Sequence, residues 1–111
     1  MIKIGSIVIH CCEFERMVAF WQNALHYVPR EPASGDWIVL CDPEGRSPNI
    51  SFQARNRSGW RRSWFHLDLY SGCQQEDVRR LLKIGAKHYP WRYPLNADYV
   101  VLQDPDGNLF C

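Results

Sequence analysis

Side chains that could carry chemistry alternate along the segment Phe65–Tyr70, which reads FHLDLY. Successive side chains of a β-strand point to opposite faces of the sheet. The apolar residues of this segment therefore belong against a core, and His66, Asp68 and Tyr70 share the other face. An imidazole beside a carboxylate and a phenol could act as a general base, bind a metal ion or hydrogen-bond a ligand. An ordinary polar sheet surface gives the same alternation, so these roles stay open.

Two copies of one motif mark an internal repeat. The segment Trp37–Gly45 reads WIVLCDPEG, and Tyr99–Gly107 reads YVVLQDPDG. Each copy begins with aromatic and β-branched residues, which favour a strand, and ends in a turn sequence, because proline fixes φ and glycine accepts a positive φ. A calcium loop beginning at Asp104 is less favoured than a turn, since no distal glutamate follows it. Each copy predicts a hairpin.

The elements around the two copies repeat in the same order. A strand at about 4–10 precedes a helix at about 13–25, and a strand at about 64–70 precedes a helix at about 74–84. Short strands at about 26–29 and 87–91, the repeated strands, and last strands at 49–54 and from 108 complete the halves. The sequence predicts one α+β domain over 1–111, with βαβββ modules at about 1–54 and 64–111. A polar, solvated linker is expected at about 55–63, including Arg55.

The first helix is expected to pack one apolar stripe against the sheet. Apolar residues recur along it at steps of three and four, which places them on one side. These residues are Phe14, Met17, Val18, Trp21 and Leu25. The second helix carries a similar stripe and is expected to end at Gly85.

The order of elements and several motifs resemble the glyoxalase-like proteins of the vicinal oxygen chelate superfamily. The motifs are Asp104–Phe110, its partner Asp42–Gly45, and Phe20-Trp21 late in the first helix. That superfamily includes glyoxalases, dioxygenases and bleomycin resistance proteins. The resemblance covers essentially the whole chain and implies two four-stranded sheets that curve into one cup, with a helix on the outer face of each. One fold serves many reactions, so the resemblance implies the fold more firmly than the chemistry.

Metal-dependent members of the superfamily take ligands from their first, fourth, fifth and eighth strands. Counting along the motifs places these positions on Ile7, Ser51, His66 and Cys111. One imidazole and one thiol are fewer ligands than a catalytic metal site normally uses, so we expect no metal ion and no other cofactor. His10 follows Ile7 by three residues, so its side chain is expected on the opposite face of the strand and away from the cup. A nucleophilic Cys111 activated by His66 is a minor alternative.

Aromatic residues fall where they could line the cup. Trp37 and Tyr99 occupy equivalent positions of the repeat, and Trp91 and Tyr93 lie in the proline-rich segment before the seventh strand. These side chains could sandwich a planar ligand, or they could fill the cup or a dimer interface. The predicted ligand-binding residues are His66, Asp68, Tyr70, Trp37, Tyr99, Ser51, Trp91 and Cys111.

The leading functional hypothesis is a metal-independent protein that holds a small organic molecule in an aromatic-lined cup, as in sequestration or resistance. The alternative is a lyase, isomerase or dioxygenase-like enzyme that uses His66 as metal ligand or general base, with Asp68 or Tyr70 assisting. A structural or regulatory dimer whose own side chains fill the cup is a third possibility. Whether the protein is an enzyme stays open at this point.

Composition narrows the partners and the setting. A net charge of +1 provides no general attraction for nucleic acid, and no apolar run is long enough to cross a bilayer. The five cysteines include no CxxC pair, which favours a reducing, cytoplasmic setting. Because members of the superfamily often pair, we expect a homodimer.

Overall fold

The computed structural model describes residues 2–55 and 64–111. The elements in chain order are β1 (Lys3–Cys11), α1 (Phe14–Leu25), β2 (Val28–Pro29), β3 (Trp37–Cys41), β4 (Asn49–Ala54), β5 (Phe65–Tyr70), α2 (Gln74–Lys83), β6 (Lys87–His88), β7 (Leu102–Gln103) and β8 (Leu109–Phe110). This order is βαβββ twice and confirms the α+β fold of two modules. Strands β6 and β7 are shorter than predicted. Apart from Arg55, the predicted linker lies outside the described residues.

One mixed sheet of eight strands runs through both modules, in the order β2-β3-β4-β1-β5-β8-β7-β6. Two four-stranded sheets were the expectation, but β1 and β5 pair antiparallel and join them. Within the modules β1 is parallel to β4, and β5 is parallel to β8. Each of the joined strands would otherwise be an edge, and their pairing satisfies the backbone groups that an edge leaves open.

Helix α1 packs on one face of the first module. Phe14, Met17, Val18 and Trp21 contact a buried cluster as predicted. The cluster consists of Ile9, Cys11, Tyr27, Ile38, Leu40 and Phe52. Leu25 was predicted to join the stripe but is 37% exposed. It is the last helical residue, and the chain turns away after it at His26 with a φ of 57°.

Helix α2 covers its half of the sheet less completely. A groove of about 340 Å³ lies between Val78 and Leu82 of the helix and Val100 near the sheet. Phe65 on the helix side of β5 is 41% exposed. The helix ends as predicted, since Gly85 follows it with a φ of 123°.

The repeated motif forms a hairpin in each module, as predicted. Strands β3 and β4 pair antiparallel, as do β7 and β8. In the second hairpin the Asp104 carboxylate accepts hydrogen bonds from the side-chain and backbone N–H groups of Asn108 and from the backbone N–H of Asp106. These bonds, the side-chain bond of Asn108 first, lower the pKa of Asp104. The carboxylate is therefore used within the turn rather than in a calcium loop.

All five cysteines of the chain are free thiols. In the part of the chain that the structure describes, neither helix has the length and apolar character needed to span a membrane.

Candidate functional site

The candidate site lies on the face of the sheet opposite α1, which we call the cup face. Paired strand positions place their side chains on one face. Val8 of β1 lies beside Ser51 of β4 and His66 of β5, and Ser6 lies opposite Asp68. The cup-face residues of the two central strands are therefore Ser6, Val8 and His10 on β1, and His66, Asp68 and Tyr70 on β5.

This register corrects two predictions about β1. Ile7 pairs with apolar residues of β4 and β5 on the helix side, so it does not occupy a ligand position in the cup. His10 lies on the cup face, where it contacts His66. Both predictions were wrong because Ile7 was assumed to face the cup. The direction of His10 was then inferred from its odd separation from Ile7 along the strand. Ser6 is the residue that reaches Ser51, with the two buried hydroxyl oxygens 2.6 Å apart.

A hydrogen bond between the modules reveals how strongly the sheet curves. Arg30 follows β2, and its Nη1 donates to Tyr70 Oη on β5 over 3.2 Å. Three strands separate β2 from β5, so the two would stand about 19 Å apart in a flat sheet. In a flat sheet Arg30 and Tyr70 would also be offset along the strand direction. Their two side chains together are too short to cover both distances. The sheet therefore curves into the predicted cup, and Arg30 crosses it.

A chain of hydrogen bonds runs across the cup face from Arg55 to His66, which lies next to Asp68. Arg55 Nε–H donates to His10 Nδ1 over 3.0 Å. His10 Nε2 is 2.9 Å from His66 Nδ1, and His66 Nε2 is 3.3 Å from Asp68 Oδ1. Arg55 was expected to lie in a solvated linker; instead it donates the first hydrogen bond of this chain.

The arginine fixes the direction of every link. A guanidinium has donors and no acceptor, so His10 accepts on Nδ1 and, when neutral, carries its proton on Nε2. That proton is donated to His66, which must then accept on Nδ1 and carry its own proton on Nε2. The Nε2 atom of His66, which carries this proton, is 3.3 Å from Asp68 Oδ1.

His10 is held in its neutral form. Burial lowers the pKa of its imidazole most, the charges of Arg55 and His66 lower it further, and Asp68 raises it in part. The resulting pKa of His10 is about 4. At neutral pH the ring thus carries one proton, as the chain of hydrogen bonds requires.

Three potential metal ligands meet at the end of this chain. Donor atoms of His66, Asp68 and Cys111 all lie within 4.8 Å of one another. A metal ion would need a nitrogen lone pair on His66 and a thiolate on Cys111, so it would have to displace a proton from each. Burial, followed by the charge of Asp68, raises the pKa of Cys111 to about 11. Without a metal ion Cys111 is therefore a thiol rather than an activated nucleophile.

The predicted aromatic residues lie at separate places in the structure. Trp37 pairs with Gln53, which places it in the cup-face row of His10. Tyr99 precedes β7, and its ring centre is 5.6 Å from that of Tyr93. Trp91 is exposed and lies against Tyr89. Across the described residues, Trp37 contacts no aromatic ring of the second module, so these side chains do not form a closed sandwich within one chain.

Two surface cavities lie away from the cup face. One of about 500 Å³ lies between the start of α1 and the loop at Gly35-Asp36, and the other is the groove beneath α2. Neither is lined by a residue of the hydrogen-bonded chain. We place the functional site on the open cup face, because titratable groups converge and connect there.

Comparisons with known proteins agree with this architecture. A family model described as a glyoxalase-like domain matches residues 6–111. A Vibrio splendidus 12B01 structure from the glyoxalase/bleomycin resistance protein/dioxygenase superfamily has a TM-score of 0.64 and 12% identity, over 99% of this chain and 96% of that one. A Legionella pneumophila structure described as an NAD-dependent benzaldehyde dehydrogenase has a TM-score of 0.64 and 15% identity, over 95% and 93%. Such identities show a shared fold alone. A search of curated protein sequences found no match.

Proposed function

This chain belongs to the glyoxalase-like domain family, and we propose that it binds a small organic molecule in its cup without a metal ion, as a sequestration or resistance protein does. The observation that carries this proposal is the hydrogen bond between Arg30 and Tyr70. It brings polar groups of both modules to one open face, next to aromatic side chains that offer a surface for stacking.

The cup face offers both kinds of contact that a small molecule needs. Tyr70 is 40% exposed, so its ring remains accessible beside the charged guanidinium of Arg30. Only one donor of Arg30 is used by Tyr70, and in the described part of the chain the others meet no protein acceptor. A carboxylate or carbonyl oxygen of a ligand would suit these donors.

The proposal includes a homodimer in the cytoplasm. Free thiols suit a reducing compartment. The incompletely covered helix side of the second module, with Phe65 partly exposed, gives a second copy apolar surface to bury.

A second candidate is an enzyme of the same superfamily, favoured by the chain of hydrogen bonds that leads to His66 beside Asp68. The role of general base does not suit His66, because its Nδ1 accepts the hydrogen bond from His10 and its Nε2 then carries the ring proton. Asp68 keeps an acceptor atom and takes that role more readily.

Thermal-shift measurements in the presence of EDTA test the binding proposal. Planar and oxygen-rich organic molecules should include at least one that raises the melting temperature by mass action. Arg30→Gln should weaken that ligand's effect, whereas the same change at Arg16, on the exposed side of α1, should not. Stabilisation only by divalent metal ions in parallel samples without EDTA, or equal effects of the two variants, would contradict the proposal.

A further inference from the structure

We propose that the cup recognises its ligand through an oxyanion group, a carboxylate or a phosphate, held at one end of the cup face by Arg30, Tyr70 and Lys3. The inference rests on the proposed function, since it names the chemical class of molecule that would bind in the same cup. It concerns the end of the cup at which β1 begins and β5 ends.

A bulge in β1, with Gly5 as the extra residue, brings Lys3 onto the cup face. The register of β1 with β5 shifts between Ile4 and Ser6. Without this shift Ile4 would share the face of Ser6, because side chains two residues apart lie on the same side of a strand. With it, Lys3 lies opposite Tyr70 and on the same face. A cationic side chain thus takes the place of an apolar one at this end of the cup.

The same glycine allows the ring of Tyr70 to lie across β1. A Cβ on Gly5 would collide with the ring, so the ring crosses the strand close to its backbone. At the far side the Tyr70 hydroxyl reaches Arg30 of the first module. The backbone of β1 and the guanidinium hold the phenol from two sides, which fixes its position before a ligand binds.

The polar groups that meet at this end of the cup offer donors to a ligand. Tyr70 Oη accepts the hydrogen bond of Arg30 Nη1 over 3.2 Å, so its own O–H can donate. The guanidinium of Arg30 has further N–H groups, and the ammonium group of Lys3 has donors and no acceptor. Among the residues that the structure describes, no carboxylate forms an ion pair with Arg30 or Lys3. A ligand group with two or more acceptor oxygens would satisfy several of these donors at once.

Charge decides between an anion and a neutral acceptor. In the described part of the chain Glu31, which follows Arg30, forms no ion pair. Asp68 precedes Tyr70 by two residues, about 7 Å along the strand, and lies beside His66. The cations at this end of the cup therefore lack a carboxylate in contact with them. Because hydrogen bonds to a charged acceptor are about twice as strong as those to a neutral one, the site favours an organic anion over an amide of the same shape.

Binding of a matched pair of probes tests the inference. Benzoate and benzamide have the same ring and nearly the same shape, but only benzoate is an anion at neutral pH. Each is titrated into the protein in EDTA, and binding is followed by the backbone resonances of Gly5 and Tyr70 and the side-chain N–H signal of Arg30. Benzoate should bind at least about tenfold more tightly than benzamide, in line with the contribution of hydrogen bonds to a charged group. Added NaCl should weaken the binding of benzoate alone.

Three variants assign the preference for the anion to individual side chains. Arg30→Gln removes the guanidinium and Tyr70→Phe removes the hydroxyl while keeping the ring, so each should abolish most of the preference. Lys3→Gln should lower it about two- to fivefold, as expected for an exposed charge. Arg16→Gln is the control, because Arg16 lies beside Glu13 on the exposed side of α1. Full preference in Arg30→Gln, or equal loss in Arg16→Gln, would overturn the inference.

Inorganic phosphate separates a failure of this inference from a failure of the proposed function. If benzoate and benzamide bind equally well and phosphate leaves the same resonances unchanged, the inference fails while the proposed binding function stands. If phosphate shifts the resonances of Tyr70 and Arg30 but neither organic probe binds at millimolar concentration, the oxyanion site stands and the proposed function fails for this class of ligand. If none of the three binds, both proposals fail.

Discussion

The two modules share an element order but differ in packing and in chemistry. The first has α1 packed on a buried cluster that includes Phe52 and Leu40. The second has a groove beneath its helix, yet its strand β5 supplies His66, Asp68 and Tyr70. The comparison teaches that one topology can carry a buried apolar cluster in one copy and a row of polar side chains in the other. The pairing of β1 with β5 lets the first module position these side chains.

The largest expected effect comes from matched phenylalanine substitutions on the helix side of the sheet. Phe52 is fully buried in the first module, and Phe65 is partly exposed in the second. Phe52→Ala should lower the free energy of unfolding by about 3–5 kcal/mol, because it removes apolar contacts and leaves a cavity. Phe65→Ala should cost about 1 kcal/mol or less, since much of its surface already meets water. Denaturant titration checks both values, and equal losses would remove the distinction between the modules.

A glycine substitution tests the contact between β1 of the first module and Tyr70 of the second. Gly5→Ala places a methyl group against the Tyr70 ring and should destabilise the fold by about 1–3 kcal/mol. It should also shift Tyr70 resonances. Gly72→Ala is the control, because a Cβ there has open space. An unchanged Tyr70 spectrum in Gly5→Ala would show that the ring does not lie over β1.

The buried hydroxyl pair of the first module gives a double-mutant test. Ser51→Ala leaves the Ser6 hydroxyl without its buried partner and should cost about 1–2 kcal/mol. Adding Ser6→Ala should recover part of that loss, because no unpaired polar group then remains. Thermal unfolding of the single and double variants measures the coupling energy. Strictly additive losses would show that the two hydroxyls do not interact.

The smallest effect is the pH dependence that His10 contributes. Its pKa is about 4 in the fold against 6.5 for the ordinary group. As the pH falls through this window the unfolded chain gains a proton that the folded chain does not, so stability decreases and levels off below the lower value. After discounting for partial exposure, we expect a loss of about 1 kcal/mol. The His10→Gln variant should lack this loss of stability at low pH. Identical pH profiles of stability for the wild-type and variant proteins would contradict the prediction.

The sequence predicted the element order well because each module repeats the same local signals. Turn residues and apolar spacing act over a few positions, so both hairpins and both helices could be located. The continuity of the sheet was missed, since the pairing of β1 with β5 depends on contacts far apart in the chain. Strand β7 is also shorter than predicted, because only Leu102 and Gln103 of the β-branched run pair with neighbouring strands.

The candidate site was only partly predictable. Alternation along β5 placed His66, Asp68 and Tyr70 on one face, since strand parity is local. His10 was assigned to the wrong face through an error of one residue in the reference position on β1. Arg55 looked like a linker residue by composition, and the contact of Arg30 depends on sheet curvature. Neither contact has a local signal.

The directed chain of hydrogen bonds is tested most directly by long-range ¹H–¹⁵N correlation spectra of the histidine side chains. Signals of His10 and His66 are assigned with the His10→Gln and His66→Gln variants. At neutral pH both rings should be the Nε2–H tautomer, and one equivalent of Zn²⁺ should leave His66 unchanged. A His66 ring protonated on Nδ1, or one that takes up Zn²⁺ stoichiometrically, would contradict a cup that works without a metal ion.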